Sequence, residues 1–135
     1  MSLSIIRAAL EKKLVAQIPT IATAFENAVF QTTTGVPYQR VNLIPARPDN
    51  SIAGGGTYFE RGFFQVTLCY QLGTGPAAAE TQAQLLRAYF KRGITLVEQG
   101  ITVVVVDTPK VATGFIDVDR FCIPVSIPFQ AQIST

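Results

Sequence analysis

Apolar residues recur at helical spacing from the start of the chain: Leu3, Ile6, Leu10 and Leu14, with Ile18 continuing the stripe. Arg7, Glu11 and Lys12 fall on the other side, Ser2 or Ser4 can cap the first turn, and Pro19 ends the helix. The pattern predicts a surface helix with one docked face. The period then changes. Thr23 to Phe30 carries β-formers in partial alternation and reads as a short strand. After a turn at Thr32 to Gly35, Val41 and Leu43 share a face opposite Arg40 and Asn42, so Tyr38 to Ile44 reads as a second strand, stopped by Pro45.

Ala46 to Gly56 has no period. Pro48, the Asp49-Asn50-Ser51 cluster and Gly54-Gly55-Gly56 mark a mobile loop, because three adjacent glycines carry a large ordering entropy. Thr57 to Leu72 is the longest strand-like stretch. Phe64, Val66, Leu68, Tyr70 and Leu72 alternate with Gln65, Thr67, Cys69 and Gln71, which gives one apolar face. Gly62 is expected to mark a bulge, and the first part of the strand to project with the preceding loop as an arm carrying Glu60 and Arg61.

A helix follows over Ala77 to Phe90, entered through Thr74-Gly75-Pro76 and stopped near Gly93. Its apolar stripe is Ala79, Ala83, Leu86 and Phe90. Ile94 to Val97 leads into a turn at Gln99-Gly100. Ile101 to Val106 lacks alternation and is expected to be a central strand covered on both faces. Phe121, Ile123, Val125, Ile127 and Phe129 alternate with Cys122, Pro124, Ser126 and Pro128. Two prolines cannot donate to a ladder, so this strand is assigned to a sheet edge, with Gln130 to Thr135 as a polar tail. Residues 1–135 are read as a single domain. The fold class is α+β: a mainly antiparallel sheet with two helices packed on one face.

Composition adds a hint of assembly. Only 15% of residues are charged, against about 25% in ordinary soluble domains. Such a surface is either rich in uncharged polar groups or partly covered by a partner. The net charge of +2 gives no electrostatic footprint for nucleic acid, and no segment is apolar enough to span a membrane. The start of the chain lacks the continuous apolar run of a signal peptide, so synthesis in a cytoplasm is expected.

Chemistry is sparse. There is no histidine, which removes the commonest general base and metal ligand. Cys69 and Cys122 belong to no metal-binding spacing. They are read as two reduced, partly buried thiols, with a disulfide between neighbouring strands as the alternative. Asp117 and Asp119 are read as a polar turn compensated by Arg120 rather than as an acid/base or metal pair. Gly54 to Gly56 leads into a strand with no lysine behind it, unlike a phosphate cradle. No catalytic residue, cofactor or metal is assigned, and a non-enzymatic assembly module is the reading.

Several phrases in succession carry a resemblance: Pro37 to Asn50 (PYQRVNLIPARPDN), Tyr58 to Val66 (YFERGFFQV), Tyr70 to Pro76 (YQLGTGP), Phe90 to Gly93 (FKRG) and Asp119 to Ile127 (DRFCIPVSI). In this order they resemble a family of small phage and prophage tail proteins, similar to the tail terminators that include minor tail protein U of lambda-like phages. The resemblance runs from Ile5 to Gln130. It implies an α+β sandwich and a ring, commonly hexameric, that caps the tail tube in the virion and supports head joining. The implied partners are copies of the chain and other tail or head-completion proteins. Tail tube and head–tail connector subunits share related folds and stand as alternatives, with a small ligand-binding domain or enzyme behind them. A ring needs two different patches on each subunit. The expected patches are the loop arm with Arg47, Asp49, Glu60 and Arg61, and the sheet edge beginning at Arg120.

Overall fold

The computed structural model describes residues 2–50 and 54–134. Helix α1 (Ser2–Gln17) is followed by strands β1 (Ala22–Ala24), β2 (Tyr38–Pro45) and β3 (Thr57–Gln71), then helix α2 (Ala77–Tyr89). Strands β4 (Thr95–Glu98), β5 (Ile101–Val105), β6 (Lys110–Val111), β7 (Phe115–Asp117) and β8 (Arg120–Ser134) complete the chain. They form one sheet in the order β1-β2-β3-β8-β5-β4, with β6 and β7 paired to β8 beyond the end of β5. Every pairing is antiparallel except β1 with β2.

The alternation read from the sequence sets the two faces. Val41 and Leu43, Phe64, Val66 and Leu68, Val103 and Val105, and Val125, Ile127 and Phe129 turn to one side. There they meet Ile6, Leu10 and Leu14 of α1, Ala83 and Leu86 of α2 and Phe90 at its C-terminal cap in a single core cluster. Both helices therefore cover one face, and both helical stripes are buried except at Leu3, which is exposed at the start of α1. Lys12 Nζ reaches Glu98 at 2.6 Å and ties α1 to β4.

The centre of the sheet is the β3–β8 ladder, which runs in unbroken register from Thr57↔Ser134 to Gln71↔Arg120. This corrects three expectations. The strand with Pro124 and Pro128 is not an edge: β8 has β3 along one side and β7, β6 and β5 in succession along the other. Both prolines turn their backbone polar groups away from β3, since the Pro124 and Pro128 carbonyls accept from Ala112 and Val106. They fall at the junctions between the short strands, where the missing N–H removes no bond to β3. The stretch from Gln130 is not a tail, because β8 continues through it to Ser134. The start of β3 is not a free arm, because β8 holds it from Thr57 onward and Phe59 bridges Asp49 on the other side.

Gly62 does not mark a bulge either, since its pairs Pro45 and Phe129 keep the register of their neighbours. It is there because the backbones approach closely: a Cβ at Gly62 would collide with the Ile44 carbonyl oxygen and lie 3.0 Å from Pro45 Cα. The strand expected over Thr23 to Phe30 shrinks to β1. Residues 25–37 leave the sheet at a turn in which Asn27 has φ 55°. β5 is not covered on both faces, because Val103 and Val105 enter the core while Thr102 and Val104 face outward, and only the short β4 separates it from the edge. Gln99 and Gly100 both have positive φ (47° and 79°). That is the two-residue turn whose twist suits the β4–β5 hairpin.

Cys69 and Cys122 are direct cross-strand partners in the β3–β8 ladder, and their sulfurs are joined in a disulfide. The expectation of free thiols is corrected. It failed because strand register, which brings the two Cα atoms to 4.2 Å, is invisible in sequence spacing. Ser51 of the expected turn cluster and Ala53 of the glycine-rich loop lie outside the described residues, and Ser2 and Ser4, expected as caps, both fall within α1.

Candidate assembly surfaces

The five residues expected at a contact surface separate into three environments. Arg47, Asp49 and Arg61 come together. With Pro48 and Asn50 they line an open cleft of about 330 Å³ at one end of the sheet. Arg61 Nε donates to the Arg47 carbonyl at 2.9 Å, which fixes the guanidinium at the mouth of the cleft. Paired backbone bonds between Asp49 and Phe59, both 2.9 Å, hold the other wall against β3. Among the described residues no carboxylate lies within ion-pair distance of Arg47 or Arg61. Exposed Ile44 and Phe63 sit beside the cleft as register partners.

Glu60 belongs elsewhere. Neighbouring strand residues point to opposite faces, so Glu60 turns toward the helix-bearing face and is buried, while Arg61 turns to the open face. A salt bridge between them is geometrically excluded.

Arg120 is a third case. Its residue is 4% exposed. Nη1 donates to the Val36 carbonyl and Nη2 to the Thr33 carbonyl at 2.6 Å, and the guanidinium lies 5.3 Å from the centre of the Tyr38 ring. It pins residues 33–36 to the open face of the sheet. Glu26, near the start of the loop over residues 25–37, anchors it to α1 and β2: its carboxylate accepts from Arg7 at 2.7 Å and from the Leu43 N–H at 3.0 Å. The Arg7 bond first, then the Leu43 bond, hold its pKa below the usual carboxylate value. Glu11, four residues along from Arg7, is pushed up instead, because burial outweighs the attraction of Arg7.

Asp117 and Asp119 occupy a tight hairpin. Asp117 pairs with Arg120 in register, and Val118 and Asp119 form the two-residue loop. The expected polar turn is present, and it is more exposed and more apolar than its acidic residues suggested. Val118 is 90% and Ile116 66% exposed, and 71% of the Asp119 side chain is exposed. Val118 also has φ 57°, a conformation that β-branched residues avoid. Asp117 is 3.6 Å from Arg40. Sequence reasoning gave this tip no contact role. The available signal was Ile116 and Val118 interleaved with two aspartates at a turn.

Beside the hairpin lies a hollow of about 650 Å³ whose walls include Leu72, Pro76, Phe115, Ile116 and Phe121. None of its lining side chains is ionisable, so it offers no converging polar groups of the kind a reactive site uses. Among the described residues no three His, Cys, Asp or Glu side chains gather as a metal site, and no helix is long and apolar enough to cross a membrane.

A family model described as phage tail terminator protein matches residues 5–129. The chain belongs to the phage tail terminator family. It is a structural protein of the phage tail by that membership. One solved structure, whose name records no role, aligns over 100% of this chain and 99% of its own length, with 28% identity and a TM-score of 0.80. A chain from the virion of a native gene transfer agent particle aligns over 98% and 97%, with 17% identity and a TM-score of 0.62, and so shares the fold. The search of curated proteins returned no match.

Proposed function

We propose that the chain is a tail terminator subunit that closes into a ring with copies of itself, caps the tail tube and supports head joining. The match to the terminator family over residues 5–129 carries this reading. Three further features support it. The fold also occurs in the virion of a gene transfer agent particle. The hollow beside the hairpin is lined without ionisable groups. The exposed surface has distinct patches at opposite ends of one ladder, the arrangement a head-to-tail ring needs. On this reading the output is contact geometry between proteins, in the virion tail, with no turnover reaction.

Native mass measurement and electron microscopy of the purified protein test it. Closed rings of uniform subunit number, which bind the ends of tail tubes and stop their growth, are expected. Open filaments would instead favour a tube subunit. A protein that remains a single subunit at high concentration and leaves tube length unaltered would overturn the proposal.

A further inference from the structure

We infer that the acidic hairpin tip around Val118 and Asp119 of one copy docks in the Arg47–Arg61 cleft of the next copy. The inference rests on the ring reading and assigns its contact.

The cleft holds two arginines and one aspartate, and among the described residues neither arginine has a carboxylate partner. Arg61 is already oriented by its bond to the Arg47 carbonyl, so its remaining donors are fixed before any partner arrives. Arginine in this state suits a carboxylate, which it can engage through two parallel bonds. The tip supplies a carboxylate of the required sign in Asp119, since Asp117 already lies 3.6 Å from Arg40. Asp119 is mostly exposed, and its charged neighbour at 4.0 Å, Arg120, is committed to Val36 and Thr33.

The apolar parts match as well. Ile44 and Phe63 stand exposed beside the cleft, and Val118 and Ile116 stand exposed at the tip. Each patch therefore joins an apolar surface to charge, with opposite sign on the two patches. Val118 is also in a left-handed backbone conformation that the asparagine or glycine common in such turns would adopt at lower cost. Its side chain gains nothing from its own subunit, being 90% exposed.

Placement then dictates the symmetry. Arg61 and Gln71 lie ten residue steps apart on β3, and Gln71 pairs with the first residue after the tip. At strand rise the two patches are separated by roughly 33 Å, too far for one subunit to satisfy both internally. Alternation puts Arg61 and Asp117 on the same open face. A contact of tip to cleft is heterologous, so each added copy leaves one tip and one cleft free until the chain of subunits closes.

Charge exchange tests the pairing. Arg61→Asp and Asp119→Arg are made singly and together, and assembly is measured by native mass and sedimentation at low and moderate salt. Each single change should raise the dissociation constant roughly tenfold or more, and the double change should recover most of that loss. Because Arg61 also braces the Arg47 carbonyl, the same cycle is run with Arg47→Asp and Asp119→Arg. Thermal unfolding of each subunit checks that it is folded. If wild-type rings form but the single changes leave assembly unaltered, or neither double variant recovers, the pairing is overturned while the ring reading stands. If the wild type forms no ring, both fall.

Discussion

Replacing Arg120 by methionine should destabilise the subunit itself, whatever happens to assembly. The guanidinium makes two bonds to main-chain carbonyls, of Val36 and Thr33, from a residue that is 4% exposed. Hydrogen bonds to a charged group contribute about 1.5–3 kcal/mol each. Two effects reduce the sum. Methionine keeps most of the buried aliphatic length, and residues 33–36 are largely exposed, so the freed carbonyls turn to water. A net loss of about 2 kcal/mol is the outcome. The contact to Asp119 at 4.0 Å, with that carboxylate mostly in solvent, adds little. Unfolding entropy near 2.1 cal/mol/K per residue over 135 residues corresponds to about 0.3 kcal/mol per kelvin, so the midpoint should fall by about 7 °C. Calorimetry measures the shift, and limited proteolysis should show new cleavage within residues 25–37. A midpoint within about 1 °C of wild type, or a shift without new cleavage there, would refute the view that Arg120 staples this segment.

Gly62→Ala should destabilise by about 1–3 kcal/mol, because the added methyl meets the β2 backbone rather than a movable side chain; an unchanged urea midpoint would contradict the close approach. Reducing the Cys69–Cys122 bond, which spans 53 residues of sequence, should lower stability by about 2–4 kcal/mol. Two free thiols titrated in unreduced, denatured protein would contradict the cross-link. Glu26 has a folded-state pKa below 4.5, so its contribution is present above 4.5 and lost as pH falls through the folded value. Glu26→Gln should therefore lower stability at neutral pH and flatten the acid limb of the stability profile below pH 4.5. Glu11 is shifted the other way, so its ionisation opposes folding as pH rises past 4.5, and Glu11→Gln should stabilise modestly at neutral pH.

Local periodicity determined much of this protein. The helical stripes of Leu3 to Ile18 and Ala79 to Phe90, and the two-residue alternation of Thr57 to Leu72 and Phe121 to Phe129, depend only on which side of a helix or strand each residue takes. They were enough to predict α1, α2, β2, β3 and most of β8, the α+β class, and the apolar face both helices cover. Turn chemistry was legible for the same reason, as at Gln99-Gly100. The resemblance of successive phrases from Pro37 to Ile127 identified the family.

Tertiary structure alone decided which strands are neighbours. Periodicity carries no information about lateral pairing. Pro124 and Pro128 therefore suggested an edge, whereas the fold places them in a central strand facing the junctions of three short partners. Pairing also set the register that joins Cys69 to Cys122, and the close approach that demands glycine at position 62. It sorted the charged residues too. Glu60 and Arg61 are adjacent in sequence yet face opposite sides of the sheet. Arg120 is spent inside the subunit. Arg47 and Arg61, fourteen positions apart, share one cleft because β2 and β3 run side by side.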